Sequence, residues 1–258
     1  MSRPSPSVFS LHIDTAETWR GGQNQVLLTV NGLRAIGHRA ALVAHANGEL
    51  RRRASEGLEF IPLAPRNEID LRTAWQLSRV LKRLDPDVVH AHDPHGVAMA
   101  ATAIAMGTGR RPRSPVLVAS RRVDFHLKRN SLSRWKYRQV DCFIAASDAI
   151  RHMLLQDGIP ADRAVTVHEG VDVDRIAAMP AVDVHAELWL PHDAPLVGNI
   201  AALVPHKGQR HLIDAARLVH QEVPDARFLI FGEGELRASL QQHIHALGLD
   251  KFVSLPGF

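Results

Sequence analysis

The sequence predicts an α/β protein with two parallel-sheet domains, and three features of the chain carry this prediction. Short apolar segments rich in β-branched residues alternate with longer segments of helical periodicity. The alternation stops between Gly170 and Pro195, where three prolines accompany a short helical piece, and it then starts again. Because such alternation produces parallel strands with crossover helices on both faces, we expect two doubly wound, Rossmann-like domains.

Seven strands and four helices are predicted before the interruption. The strands are short and apolar, and they are residues 8–13, 40–44, 58–62, 87–91, 116–119, 142–145 and 164–167. The helices repeat apolar side chains every three or four positions, and they are residues 23–36, 71–84, 97–106 and 148–156. Ser147 directly precedes the last helix and is predicted to cap it, since its hydroxyl can accept a free backbone N–H.

A shorter block follows the interruption. Its predicted strands and helices are residues 196–201, 208–221, 227–231, 235–246 and 252–255. Three strands form only one mononucleotide-binding half of a doubly wound domain, which has about six strands. We therefore expect a first domain at residues 1–180, a linker at 181–195 and an incomplete second domain at 196–258, with the chain truncated inside it.

Composition excludes several classes of protein. Hydrophobic residues make up 45% and charged residues 22% of the chain, which is typical of a globular protein and not of a disordered one. The sequence lacks an apolar run of the roughly 18–20 residues that span a bilayer, and its first residues lack the apolar core of a signal peptide. Cys142 is the single cysteine, which is consistent with a reducing compartment. We predict a cytoplasmic protein.

The segment from Arg110 to Arg138 is strongly basic, with ten lysines and arginines against one acid, Asp124. One interpretation is a solvated basic face. The other is attraction to anionic lipid headgroups or to a phosphorylated acceptor, which would place the protein at the inner face of the membrane. The sequence matches no nucleic-acid-binding motif, and we expect no nucleic-acid partner.

Glycines follow the first strand and open the first helix at Gly21 and Gly22. Glycines there let a ligand approach the backbone, and a helix N-terminus offers free N–H groups to a phosphate. A plain turn is the alternative. The sequence contains neither a P-loop nor a dinucleotide-binding fingerprint.

Histidines gather at the end of the fourth predicted strand, in His90-Ala-His92-Asp93-Pro-His95. Alternation along a strand puts His90 and His92 on the same side. Three interpretations stay open, namely a zinc site, polar residues at a strand end, and groups that bind an acceptor or a sugar.

Two further turns follow strands of the second block. Lys207 and Gly208 stand at the start of a predicted helix, where a lysine can meet a diphosphate, although a surface lysine is the common case. Gly232 and Gly234 follow the next strand and form either a tight turn or a second backbone approach to a nucleotide.

Six segments, taken in order, resemble glycosyltransferase family 4 over nearly the whole chain. They are Gly21-Gly22, Asp87-Val-Val-His-Ala-His92, His168-Glu-Gly-Val-Asp172, Leu203-Val-Pro-His-Lys-Gly208, Phe231-Gly-Glu-Gly234 and Leu255-Pro-Gly-Phe258. The resemblance implies the GT-B fold, a nucleotide-sugar donor, retention of anomeric configuration, and no bound metal or other cofactor. The implied acceptor is a glycan or a lipid-linked molecule, and the basic segment favours one from the cell envelope, as in lipopolysaccharide biosynthesis.

The resemblance also assigns site residues. Contacts to the donor phosphates are expected from Gly21, Gly22, Lys207, Gly208, Gly232 and Gly234. Contacts on the acceptor side are expected from His90, His92, Arg121 and Arg122. A catalytic residue cannot be named, because an arginine stands where many members carry a histidine after the fifth strand.

Two other departures bear on activity. Ala202 occupies the place of a family arginine, so one diphosphate contact is missing or replaced. The acidic segment that holds the donor sugar in this family would lie beyond Phe258, and we expect this chain alone to be inactive. Three alternatives stay open: a nucleotide-sugar epimerase of the same fold, a zinc hydrolase at the histidine cluster with His95, and a non-catalytic fragment.

Overall fold

The computed structural model describes residues 7–54, 56–107 and 114–258. Contacts divide the chain into two compact units, Met1–Val173 and Asp174–Phe258. Within the described ranges, no helix is both long enough and apolar enough to cross a bilayer.

The first unit is built on a single sheet of seven parallel strands. They are β1 Phe9–Asp14, β2 Arg39–Ala44, β3 Glu59–Pro62, β4 Val88–Ala91, β5 Val116–Arg121, β6 Cys142–Ala145 and β7 Ala164–Thr166. Their order across the sheet is β3-β2-β1-β4-β5-β6-β7, and every pairing is parallel. The order reverses between β1 and β4, which confirms the predicted doubly wound sheet and marks the carboxyl ends of these two strands as the place for a ligand.

Helices cover this sheet. They are α1 Gly21–Ala35, α2 Glu49–Arg53, α3 Leu71–Leu84, α4 Pro94–Gly107, α5 Ser131–Arg138 and α6 Asp148–Gln156. Helix α6 has the predicted bounds, and the hydroxyl of Ser147 accepts the N–H of Ile150 at 3.3 Å, as expected for its cap. Helix α4 begins three residues earlier than predicted, because Asp93 Oδ1 accepts the backbone N–H groups of His95 and Gly96, both at 2.9 Å.

Two helices of the first unit have no counterpart in the sequence prediction. Helix α2 has five residues, too few to show helical periodicity. Helix α5 lies inside the basic segment, where charged residues obscure its apolar face. Its start is fixed by Asn130, whose side chain accepts the N–H of Ser133 at 2.8 Å.

Alternation along β1 and β4 separates a hydrophobic face from a polar one. Leu11, Ile13, Val89 and Ala91 belong to one hydrophobic core and are no more than 1% exposed. The intervening residues therefore point to the opposite face of the sheet, where a second core packs α1 against β2. His12 and His90 lie on that opposite face.

The second unit contains α7 Val173–Ala177, which begins at the boundary between the units, and α8 Val184–Glu187. These two short helices replace the single helical piece predicted for this region. A three-stranded parallel sheet follows, with β8 Leu196–Ile200 at one edge, β9 Arg227–Phe231 in the middle and β10 Val253–Gly257 at the other edge. Two helices pack on it, α9 Gln209–Glu222 and α10 Arg237–Ala246, around a core that includes Ile213, Ile230 and Ile244.

Candidate functional site

The register of the central strands brings three histidines together at the carboxyl edge of the first sheet. His12 of β1 lies directly opposite His90 of β4. His92 follows β4 and donates its backbone N–H to Ile13 O at 2.8 Å, which returns its side chain to the same cluster. The rings of His90 and His92 stack with centroids 4.1 Å apart, and all three histidines are buried.

A chain of hydrogen bonds runs through the cluster, and Arg122 fixes its direction. Arg122 Nη1 lies 3.2 Å from His92 Nδ1, His92 Nε2 lies 3.0 Å from His12 Nδ1, and His12 Nε2 lies 2.9 Å from Ser10 Oγ. A guanidinium can only donate, so His92 Nδ1 must accept. His92 then donates from Nε2 to His12, and His12 donates to Ser10. One charged residue thus sets the tautomers of two neutral imidazoles.

Electrostatics agree with neutral rings. Burial, with a smaller contribution from the charge of Arg122, lowers the pKa of His12 from 6.5 to about 4. Burial also holds the pKa values of His90 and His92 well below 6.5, with further repulsion from the neighbouring histidines and from Arg122. These rings therefore carry no charge at neutral pH.

Arg122 has a second partner that the sequence did not suggest. Its Nε donates to Glu169 Oε1 at 2.6 Å, and the arginine side chain is 18% exposed. Arg121, next to it, instead donates through Nη2 to the carbonyl of Phe125. Of the two predicted acceptor-side arginines, only Arg122 therefore reaches the histidine cluster.

The zinc interpretation named His95 as the third ligand, and here it is wrong. His95 lies exposed in the first turn of α4, whereas His12 joins His90 and His92 with nitrogen atoms within 4.8 Å of one another. A divalent cation would meet an adjacent guanidinium, and the facing nitrogens of His12 and His92 already bond to each other. The donor set therefore suits an uncharged hydrogen-bonding network better than a metal.

Beside the cluster, the first β–α junction holds a buried carboxyl group. Gln23 Nε2 donates to both oxygens of Asp14, at 3.2 and 3.1 Å. Burial, reinforced by the nearby Asp93, raises the pKa of Asp14 from 3.8 to about 6. Gly21 and Gly22 form the first residues of α1, and a Cβ atom on either would meet no atom within 4 Å. Packing does not require glycine at either position, and the predicted ligand approach stays a prediction.

Residues predicted for the second unit lie in two turns. Lys207 ends a 3₁₀ turn, Pro205–Lys207, and Gly208 caps α9 with a left-handed φ of 71°. Gly232 and Gly234 lie where the loop after β9 crosses the loop after β8. A Cβ atom would come 2.0 Å from Ala201 O at Gly232 and 2.4 Å from Leu203 O at Gly234. Backbone packing is sufficient to require glycine at both, and their assignment to donor phosphates stays a prediction.

The basic segment is not one solvated face. Arg110, Arg111 and Arg113 lie outside the described residues. Lys136 is 1% exposed, and its Nζ donates to Glu68 Oε2 at 3.0 Å and to Pro94 O at 3.1 Å. This buried lysine attaches α5 to the start of α4, at Pro94, two residues after His92. The solvated-face interpretation is therefore wrong at Lys136.

Sequence reasoning missed His12, Gln23 and Glu169 as members of the site. A polar His12 within an otherwise apolar strand was a usable signal, because the first strand of such a sheet borders the switch point. Glu169 lies within the family-like segment 168–172, but nothing local indicated its pairing with Arg122, 47 residues earlier in the chain.

Comparison with known proteins gives a consistent result. A family model described as Glycosyltransferase Family 4 matches residues 19–175, and one described as Glycosyl transferases group 1 matches residues 183–258. The GDP-mannose-dependent alpha-mannosyltransferase of Mycobacterium tuberculosis is 28% identical over 86% of this chain and 61% of that protein. The phosphatidyl-myo-inositol mannosyltransferase of the same species is 25% identical over 88% of this chain and 62% of that protein. The chain therefore spans less than two thirds of the length of these relatives.

A solved structure shares the fold. The crystal structure of HepE from Anabaena in complex with UDP and glucose is similar with a TM-score of 0.76, at 18% identity. The similarity covers 97% of this chain and 69% of that one.

Proposed function

We infer the function from the fact that this chain belongs to glycosyltransferase family 4, whose model matches more than half of it. The proposed activity is transfer of a sugar from a nucleotide-sugar donor to a glycan or lipid-linked acceptor of the cell envelope. We further propose that the transfer retains anomeric configuration. The family match carries this proposal, and the geometry of each unit supports a different part of it.

Donor binding is proposed for the turn that opens α9. The 14-residue helix presents free N–H groups at its start, and Lys207 stands one residue before the Gly208 cap. Lys207 is exposed, and no hydrogen bond or ion pair within the described ranges engages its side chain. A charged amine beside a helix N-terminus suits a diphosphate, and it would stabilise the nucleoside diphosphate as it departs.

Acceptor binding is proposed for the carboxyl edge of the first sheet. His90 and His92 are each 8% exposed, so they are the cluster members nearest to solvent, whereas His12 is fully buried. His90 can bond an acceptor hydroxyl through Nδ1, since its Nε2 lies 2.8 Å from Ser120 Oγ, whereas both nitrogens of His92 are engaged by Arg122 and His12. Arg122 can meet a phosphorylated acceptor in place of Glu169. A mannosyltransferase relative is named for phosphatidyl-myo-inositol, which favours a lipid-linked acceptor and a cytoplasmic, membrane-peripheral location here.

Transfer is proposed to need no metal. The only described cluster of three metal-ligand side chains is His12, His90 and His92, and Arg122 lies against it. Zinc at this cluster is the rival proposal. Metal analysis of gently purified protein distinguishes metal-free transfer from a zinc site. A stoichiometric zinc content that His92→Ala removes would favour the zinc site.

Lys207→Ala tests the donor site. A charge-assisted bond to phosphate contributes roughly 1.5–3 kcal/mol, so nucleotide-sugar affinity should fall about tenfold to a hundredfold with little change in stability. A thermal-shift screen of UDP-, GDP-, ADP- and CDP-sugars first identifies the donor, and calorimetry then gives the dissociation constants. Lys251→Ala removes another exposed lysine of the same unit and should bind like the parent. Equal affinity of the Lys207 variant would remove this residue from the donor site.

Gly22→Ala tests the first β–α junction. The added methyl group meets no atom within 4 Å and adds helix propensity, so stability should be unchanged or up to about 1 kcal/mol higher. Nucleotide-sugar affinity should nevertheless fall at least about tenfold if a phosphate approaches this backbone. Gly32→Ala is the control, because it lies on the same helix and a methyl group there also meets no atom within 4 Å. It should change stability as Gly22→Ala does and leave nucleotide-sugar affinity unchanged. A Gly22 variant that binds normally would favour a plain turn.

An epimerase of the same fold remains the other candidate. Product analysis separates the two activities, because transfer creates a glycosidic bond, whereas epimerisation returns an isomerised sugar nucleotide. An isomerised donor formed without acceptor would overturn the proposed function.

A further inference from the structure

The remaining part of the basic segment surrounds a cavity in the first unit. The cavity has a volume of about 390 Å³ and lies between α5, the loop before it and the residues after α6. Five cationic residues line it. Arg163 donates to the backbone carbonyls of Arg138 and Val140, and the other four are Lys128, Arg129, Arg134 and Arg138. All four are exposed, and within the described ranges none of their side chains takes part in a hydrogen bond or ion pair. The cavity therefore concentrates positive charge that the protein itself leaves unpaired.

Asp157 is the single carboxylate that lines the cavity, and both of its oxygens already have hydrogen-bond partners within the protein. Asp157 Oδ1 lies 2.8 Å from His126 Nδ1, and Asp157 Oδ2 accepts the backbone N–H of Leu127 at 2.7 Å. Its side chain is only 3% exposed. Asp157 thus fixes the loop that carries Lys128 and Arg129, and it leaves their charges free for an external anion.

The chemistry of the lining suits phosphate. Arginine side chains bind phosphate through two parallel N–H donors, and two arginines one helical turn apart, Arg134 and Arg138, face the same cavity. Tyr137 and Ile159 add aromatic and apolar surface beside the charges. A concave site with a few convergent polar groups on an apolar lining is the usual form of a small-molecule site, and this volume is within its usual range.

The cavity is separate from the histidine cluster. Arg138 precedes β6, and residues 156–160 precede β7, so these parts of the lining lie toward the amino ends of the strands. His12, His90 and His92 lie at the carboxyl ends. A ligand in the cavity would consequently not compete with the proposed acceptor for Arg122.

We propose that this cavity binds a phosphate-bearing ligand, either free in solution or displayed as a lipid headgroup. Repulsion among the four cations opposes their proximity in the unliganded protein, and a polyanion relieves it. The proposal does not depend on sugar transfer, because it concerns a different edge of the sheet and a different set of residues.

An NMR titration of the whole chain with inorganic pyrophosphate tests the proposal. Backbone amide shifts are expected at residues 127–138 and 156–163, and shifts at 205–210 are assigned separately to the donor turn. Arg134→Gln combined with Arg138→Gln should weaken the first set about a hundredfold, at roughly tenfold for each lost charge-assisted contact. Arg72→Gln, an exposed arginine on α3 outside the cavity lining, is the matched control and should change affinity less than twofold.

A second arm uses phosphatidylglycerol vesicles to identify the source of the phosphate. Co-sedimentation that the double variant loses, and that pyrophosphate inhibits, supports a lipid headgroup. Pyrophosphate binding without co-sedimentation supports a free phosphorylated ligand. The proposal is overturned if pyrophosphate shifts no cavity amide, if the double variant binds like the parent, or if Arg72→Gln weakens binding equally. Donor binding measured in the same double variant should be unchanged, which separates failure here from failure of the proposed function.

Discussion

Unfolding of the first unit should become easier as pH falls from about 6.5 towards 4. The folded state holds the pKa of His12 at about 4, whereas the unfolded chain binds that proton near 6.5. Between these values the unfolded state carries more protons, so its free energy falls relative to the folded state by about 1.4 kcal/mol per pH unit. His12 alone should remove about 3 kcal/mol across the window. The pKa values of His90 and His92 are lowered in the same direction, and these residues add to the loss.

Asp14 opposes this trend. Its folded pKa is raised from 3.8 to about 6, so acidification through that range places a proton on the folded protein first and favours folding. The stability that Asp14 gains on acidification is about as large as the stability that His12 loses. The losses from His90 and His92 are then left over, so the free energy of unfolding falls. The free energy of unfolding should therefore be highest above about pH 6.5 and should decrease below it.

Hydrogen exchange of the β1 and β4 amides between pH 7.5 and 4.5, corrected for intrinsic exchange rates, measures this loss in the first unit alone. His12→Gln should reduce the slope of the opening free energy against pH by up to the contribution of one proton. His95→Gln, which changes an exposed histidine outside the cluster, should leave it unchanged. Opening free energies that stay constant from pH 7 to pH 5 would mean that the cluster tolerates a charge, which contradicts its hydrogen-bond pattern.

Gly232→Ala should destabilise the second unit by roughly 2–6 kcal/mol. Residue 232 has a φ of 138°, which L side chains rarely adopt, and this strain costs roughly 1–3 kcal/mol. A Cβ atom there would also lie 2.0 Å from Ala201 O, and moving the backbone to relieve such a contact costs roughly another 1–3 kcal/mol. The loop after β8 cannot easily retreat, because Ala201 N and Leu203 N donate to Phe231 O and Glu233 O, each at 3.0 Å.

Gly198→Ala is the matched control in the same sheet. A methyl group at residue 198 meets no atom within 4 Å, and the backbone there is ordinary strand. Urea unfolding, followed through the amide signals of β9, gives the free energy of unfolding of the second unit in each variant. A Gly232 variant that keeps its stability but loses nucleotide-sugar affinity would restore the ligand role for this glycine and contradict the packing explanation.

Local patterns determined most of the fold. The alternation of apolar strands with amphipathic helices predicted every strand to within two residues, because burial on a pleated or helical surface imposes a period that the sequence displays directly. The same alternation placed His90 and His92 on one side of their strand, and their rings indeed stack. Ser147 was identified as a cap because a helix start has a local chemical requirement.

Tertiary structure decided what depends on register and on distant neighbours. His12 joined the cluster because β1 pairs with β4 at that residue, a choice made across 78 positions of chain. Lys136 became buried because Glu68 and a carbonyl of α4 supply partners for its charge, and without them burial would be too costly. Gly232 and Gly234 are required by the approach of two loops that follow different strands. Sequence periodicity reports whether a position faces inward, whereas the group it meets there is set by nonlocal packing.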